Sequence, residues 1–217
     1  MLKAVLFDLD GTLVNSLGDL AEATNRALAA GGFPAREVEE FKLFAGDGMP
    51  KMLERALPEG NKSPETVQRL LTVLKSYYIE HYADKSTAYD GVPELIAELK
   101  KRGFIVAVVT NKLQEMAEVV VNKFYGDAFD RVFGMREGIP AKPDPTMALL
   151  AMRELGVTPE ECVFVGDSGM DVATGVNSGA LPVGELWGFR GEEELRKNGA
   201  RYIISRPEEL LKIIEEN

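Results

Sequence analysis

Histidine and cysteine are almost missing from this chain of 217 residues, which contains one of each, His81 and Cys162. A lone cysteine cannot close an intrachain disulfide, and a reducing cytoplasm fits that usage. A lone histidine excludes a multi-histidine metal centre and argues against Ser-His-Asp or Cys-His-Asn catalysis. His81 lies in a helical stretch rich in Tyr and Leu and reads as a structural or surface residue, and Cys162, in the apolar run CVFV, reads as a small core residue. No run reaches membrane-spanning length, and the N-terminus lacks the basic start, long apolar stretch and cleavage site of a secretory signal. There is no Lys/Arg-rich stripe either: 35 acidic against 25 basic residues give a net charge of −10, so nucleic acid is not an expected partner. Neither a GxxxxGK[ST] phosphate loop nor a GxGxxG fingerprint occurs. What remains for chemistry is carboxylates, hydroxyls, lysine and a metal held by oxygen.

What is present starts at residues 4–14, AVLFDLDGTLV. Residues 4–7 are too short for a helix and too evenly apolar for a strand with one wet face, so they read as a strand covered on both sides. Asp8 and Asp10, one pleat repeat apart, should emerge towards the same side where that strand runs out. At roughly 5 Å and an effective dielectric of about 20, two ionised carboxylates repel by about 3 kcal/mol, so a shared proton or a divalent cation is expected between them. Asp10-Gly11 could instead be a hairpin turn. The following segment contradicts that reading, because Leu17, Leu20, Ala21, Ala27 and Leu28 recur at helical spacing in an Ala-rich stretch.

A hydrophobic content of 45% suffices for one large domain or for a core with a smaller insertion. After a helical region ending near Tyr82, strands and helices alternate. Pro93 suits the first turn of a helix that Gly103 closes, and FIVAVVTN follows as a buried strand. Next come a helix over about 112–124, a strand over about 131–134, a helix over about 145–155 and a strand over 162–165. A helix from Met170, strands over about 181–183 and 202–204, and a helix over 207–215 complete the chain. This predicts an α/β fold with a Rossmann-like parallel sheet that binds ligands at the carboxyl ends of its strands.

Three further strand ends carry polar residues. Thr110 and Asn111 end FIVAVVTN, where they could bond phosphate oxygens or begin a helix. Lys142 stands in AKPDP, where it could meet an anion or face solvent, while Asp144 and Pro145 suit the start of a helix. VFVGDSGMD sets Asp167 and Asp171 beside a buried strand, with Gly166 and Gly169 permitting close backbone approach.

Taken together, DLDGT (residues 8–12), VVTN (108–111), Lys142-Pro143 and GDSGMD (166–171) resemble, in that order, the four motifs of the haloacid dehalogenase superfamily of aspartate-nucleophile phosphatases. The resemblance covers essentially the whole chain. It implies a Rossmann-like core over 1–16 and 86–217 and an α-helical cap over 17–85, where helical patterns occur without a convincing strand. It implies that Asp8 is the nucleophile that becomes an aspartyl phosphate and that Asp10 is the general acid and base. It places Mg²⁺ on Asp8, the backbone carbonyl of Asp10 and Asp167, with Asp171 in support. Thr110 and Asn111 would bind the phosphoryl group, and Lys142 would offset charge on Asp8 and on the phosphoryl oxygens.

The segments NSLGDLAEATNRALAAGGFP and GDGMPKMLERAL are similar to those of bacterial phosphoglycolate phosphatases. On that likeness Gly46 and Gly48 form a cap loop, and Lys51 and Arg55, four residues apart on a helix, are candidate contacts to the carboxylate of a small phosphorylated metabolite. A solvated face paired with Glu54 or Glu59 is the other reading of those two cations. Asn15 departs from the family, which usually has Asp there. A phosphatase with another substrate, such as a sugar phosphate or nucleotide, a mutase of the β-phosphoglucomutase kind and a non-catalytic binding protein on the same scaffold are the alternatives. Oligomeric state is not legible.

Overall fold

The apolar run at the N-terminus forms β1 (Ala4–Phe7), a strand buried at every position. It does so at the centre of a parallel sheet in a computed structural model that describes residues 1–217. In chain order β2 (Val14–Asn15), α1 (Leu17–Ala30), α2 (Phe41–Phe44), α3 (Gly48–Ala56), α4 (Pro64–His81), β3 (Thr87–Ala88) and α5 (Val92–Lys101) follow. The remainder is β4 (Ile105–Leu113), α6 (Gln114–Tyr125), β5 (Arg131–Met135), α7 (Thr146–Leu155), β6 (Cys162–Gly166), α8 (Gly169–Ser178), β7 (Leu181–Glu185), α9 (Glu192–Lys197), β8 (Tyr202–Ile204) and α10 (Glu209–Glu216). The chain divides into two compact units, one made of Met1–Val14 with Ala88–Asn217 and the other of Asn15–Thr87.

In the first unit six strands lie in the order β5-β4-β1-β6-β7-β8, every neighbouring pair parallel. The chain builds outward from β1 through β4 to β5 on one side and through β6 and β7 to β8 on the other. Connections therefore depart in opposite senses at β1, and that reversal is where open parallel sheets leave a crevice at their carboxyl ends. Register sets the level of the crevice. Phe7 lies beside Val108 of β4 and Val165 of β6, and the next amide, Asp8 N, donates to Val165 O at 3.0 Å. On one face of the sheet Leu6, Val109, Phe133 and Phe164 are buried with Met147, Ala148, Ala151 and Met152 of α7. Cys162 is in this core, its Sγ 3.2 Å from Thr158 O.

Several boundaries differ from the sequence reading. Residues 112 and 113, expected to open a helix, are the last two of β4, and α6 begins at Gln114. The stretch KLQEM has good helix formers, but pairing with β5 wins: the ladder shifts register between Val109 and Leu113 and resumes with Leu113 beside Met135. The strand expected over 181–183 continues to Glu185. Pro145 is the residue preceding α7 rather than its first, and the Asp144 carboxylate accepts from Thr146 N at 2.9 Å. The last helix starts at Glu209 instead of residue 207.

The second unit is helical. Leu20, Ala27 and Leu28 of α1 and Leu70, Leu71, Leu74 and Tyr78 of α4 are buried. Ser63 caps α4 by accepting from Thr66 N, with Pro64 in the first turn. Asp19, only 3% exposed, ties the end of this segment to α1 by accepting from Lys85 N, Ser86 N and Ser86 Oγ at 3.0, 2.9 and 2.6 Å. His81 stacks on Tyr77 with ring centroids 4.1 Å apart and lies 2.7 Å from Asp84, so it is a surface residue with structural partners. No helix is long and apolar enough to cross a membrane.

Candidate active site

Asp8 leaves the end of β1, Asp167 the end of β6, and Asp171 projects from the first turn of α8. Carboxylate oxygens of all three lie within 4.8 Å of one another, and all three residues are buried. Lys142 reaches into the cluster, its Nζ 2.7 Å from Asp8 Oδ1 and 2.5 Å from Asp171 Oδ1, with 2% of its side chain exposed. Local structure orients these groups. Ser168 and Asp171 form a capping box at the start of α8, in which Ser168 Oγ donates to Asp171 Oδ2 at 2.5 Å, leaving Oδ1 for the lysine. The Asn111 amide clasps the lysine's backbone: Lys142 N donates to Asn111 Oδ1 at 2.8 Å, and Asn111 Nδ2 donates to Lys142 O at 3.4 Å. Thr110 is buried beside it at the end of β4, its Oγ1 accepting from Lys112 N at 3.3 Å. Two glycines are required by close approach. A Cβ on Gly11, whose φ is +96°, would stand 2.5 Å from Asp167 Oδ2, and one on Gly166 would stand 2.2 Å from Asp171 Cβ.

The electrostatics of this cluster are costly. Burial pushes the Asp8 carboxyl up to about 6; Asp171 adds to the rise and Lys142 offsets part of it. Asp167 is held well above the usual carboxylate range by burial and by Asp171 and Asp8, against a smaller opposing effect of the amide of Phe189 and of Arg190. Burial alone would lower the Lys142 ammonium, but attraction to Asp171 and Asp8 outweighs it and raises the pKa.

Two residues central to this arrangement were not expected from sequence. Lys112 Nζ lies 2.9 and 2.8 Å from the two oxygens of Asp10. Asp8 and Asp10 therefore meet separate ammonium groups, one from the loop before α7 and one from β4. Lys112 was hidden because the sequence reads as helix there. Glu185, at the end of β7, is completely buried. Its Oε2 accepts from Trp187 N at 2.7 Å and Gly188 N at 3.1 Å, while Oε1 is buried with no hydrogen-bond partner. Burial and then Asp167 raise its pKa well above the usual range. An acid closing an apolar strand, LPVGE, was the available signal.

The family model for haloacid dehalogenase-like hydrolases matches residues 2–179. The chain belongs to that family. An N-acetylmuramic acid 6-phosphate phosphatase from Pseudomonas aeruginosa is 34% identical over 99% of this chain and 95% of its own length. A phosphoglycolate phosphatase from Haemophilus influenzae is 34% identical over 98% of both chains. A solved structure of a candidate phosphoglycolate phosphatase from Lactobacillus delbrueckii subsp. bulgaricus superposes with a TM-score of 0.93 at 33% identity, covering 98% of each chain. In this chain the parallel sheet is the scaffold on which the carboxylates converge.

A haloacid dehalogenase-like hydrolase with this donor set can hold a hard divalent cation. Asp8, Asp167 and Asp171 supply carboxylate oxygens within 4.8 Å of one another, a spacing that one cation could bridge. The donors are all oxygen, which suits Mg²⁺ rather than a softer metal.

In the helical unit Gly46 and Gly48 turn the chain into α3 with φ of +118° and +80°. Both cations of α3 are engaged locally: Lys51 Nζ is 2.8 Å from Glu54 Oε2, while Arg55 pairs with Asp47 and donates to Phe44 O at 2.9 Å. Asn15 is exposed at the end of β2.

Proposed function

We propose that this haloacid dehalogenase-like phosphatase hydrolyses a small phosphomonoester bearing a carboxylate, with 2-phosphoglycolate as the leading substrate, through an aspartyl phosphate on Asp8. The observation that carries the reading is the separation of two carboxylates two residues apart into different settings, with Asp8 buried against Lys142 and Asp171 and the more exposed Asp10 paired with Lys112. One environment suits a nucleophile whose charge is held in reserve, and the other suits a group that exchanges protons with substrate and water.

In the first step an Asp8 oxygen bonds to phosphorus as the ester P–O bond breaks, and Asp10 gives its proton to the departing oxygen. In the second a water surrenders a proton to Asp10 and bonds to phosphorus, the bond to Asp8 breaks, and phosphate leaves. Lys142 balances charge on Asp8 and on the transferring oxygens, and Thr110 with the backbone at Asn111 holds those oxygens. Mg²⁺, held by Asp8, the backbone carbonyl of Asp10 and Asp167 with Asp171 behind them, would supply charge neutralisation during transfer. A reducing cytoplasm agrees with the unpaired, buried thiol of Cys162.

A second reading has its own support. The relative from P. aeruginosa is named for N-acetylmuramic acid 6-phosphate, a substrate that also carries a carboxylate. Phosphate release should therefore be measured with and without Mg²⁺ on 2-phosphoglycolate, N-acetylmuramic acid 6-phosphate, glucose 1-phosphate, glucose 6-phosphate, a nucleotide and p-nitrophenyl phosphate. A preference of about a hundredfold or more in kcat/KM for phosphoglycolate supports the leading substrate. The same preference for the muramic acid ester moves the assignment to it. Absence of phosphate release from every compound overturns the hydrolase chemistry itself.

A further inference from the structure

We infer that Lys112 is a positioning residue for proton transfer: its buried ammonium seats the Asp10 carboxylate so that Asp10 can protonate the leaving oxygen. The inference rests on the acid role proposed for Asp10.

The pair is asymmetric. The Lys112 side chain is 3% exposed and that of Asp10 is 20% exposed. The ammonium is therefore the buried member, and the carboxylate is the one open to an incoming ester. Nζ engages both oxygens, at 2.9 and 2.8 Å, which restricts rotation of the carboxylate while each oxygen retains lone-pair capacity. Lys112 is itself on a rigid support. It sits within β4 one residue before Leu113, which pairs with Met135 of β5. The β5 backbone packs so closely that a Cβ on Gly134 would lie 2.8 Å from Lys112 O.

A merely stabilising role explains this poorly. Taking an ammonium out of water costs several kcal/mol, and an apolar side chain in the same space commonly serves stability as well or better. A proton-transfer role explains the expense, because a small displacement of a catalytic group can cost about a hundredfold in rate.

The test uses leaving groups of different basicity. An alkyl phosphate needs its departing oxygen protonated, whereas p-nitrophenolate departs without a proton. Wild type, Lys112→Met, Lys112→Arg and Asp10→Asn would be compared by kcat/KM on p-nitrophenyl phosphate and on the best alkyl phosphate of the panel above, with thermal midpoints as a control on folding. For Lys112→Met the expected loss is about a hundredfold on the alkyl ester, within the about 10²–10⁴ that general acid catalysis supplies. The loss on the aryl ester should be far smaller, and Lys112→Arg should recover part of the alkyl activity. Asp10→Asn should show the same discrimination. If Asp10→Asn discriminates and Lys112→Met lowers both substrates equally, Lys112 is structural and the inference is overturned while the acid role stands. If Asp10→Asn does not discriminate, the acid role fails and the inference falls with it. Should Lys112→Met not fold, Lys112→Gln, which keeps a donor without the charge, carries the same comparison.

Discussion

Asp8→Asn is expected to abolish turnover and, at the same time, to make the metal-free protein more stable at neutral pH. The Asp8 carboxyl is raised from 3.8 to about 6, chiefly by burial and then by Asp171, with Lys142 opposing. An acid raised in the folded state keeps its proton there after the unfolded chain has lost it. The folded chain then binds more protons, and stability falls as pH climbs from 3.8 to about 6. The interval from 3.8 to about 6 is worth about 3 kcal/mol, present in full above the upper value and absent below the lower one. Asparagine has the same shape and no charge, and Lys142 keeps Asp171 as its partner. The stability difference between mutant and wild type should thus be near zero around pH 4, open between there and about pH 6, and level off near 3 kcal/mol, or about 6–12 °C in midpoint for a chain of this size. Denaturation followed by circular dichroism in EDTA at several pH values measures it. Saturating Mg²⁺ should then raise the wild-type midpoint more than the mutant's, because the cation neutralises a charge the mutant lacks. A mutant no more stable than wild type near pH 7.5, or a gap that does not change with pH, would refute the electrostatic argument.

Glu185→Gln should raise the metal-free midpoint near pH 7.5 and leave it unchanged near pH 4, since a buried acid with a raised pKa loses stability as pH rises and its Oε1 has no partner; equal midpoints at both pH values would count against it. Asp19→Ala should cost about 3 kcal/mol in urea denaturation, because it strips acceptors from the buried Ser86 hydroxyl and two backbone amides. If Lys51 reads the substrate carboxylate, as the likeness to phosphoglycolate phosphatases implies, Lys51→Ala should raise KM for 2-phosphoglycolate more than for p-nitrophenyl phosphate; equal changes would leave Lys51 with its Glu54 pairing alone.

The architecture was legible because buried parallel strands are unbroken apolar runs and the helices between them carry caps and breakers. AVLF, IVAVV and CVFV are all buried strands, and Gly103 follows α5 with φ +82°. Asp8 and Asp167 were legible for a related reason, since each interrupts an apolar run at a strand end. Less legible were groups whose local sequence pointed elsewhere. Lys112 stands among good helix formers and is in a strand because the next residue, Leu113, pairs with Met135 of β5. Asn111 read as a phosphate ligand or a helix start, yet its side chain holds the backbone of Lys142, 31 residues away. Glu185 lies beyond the strand expected over 181–183 and is wholly buried.

By itself, then, the amino-acid order determined which segments are strands and helices and which carboxylates stand where strands run out, because period, propensity and strand termination are local properties. Only the tertiary structure decided how charge is shared: that Lys142 serves Asp8 and Asp171 together, that Lys112 belongs to Asp10, and that Glu185 adds a buried acid next to Asp167. Those pairings join residues up to about a hundred or more positions apart, and their energies depend on burial and on a few ångströms of separation that only strand order and register set.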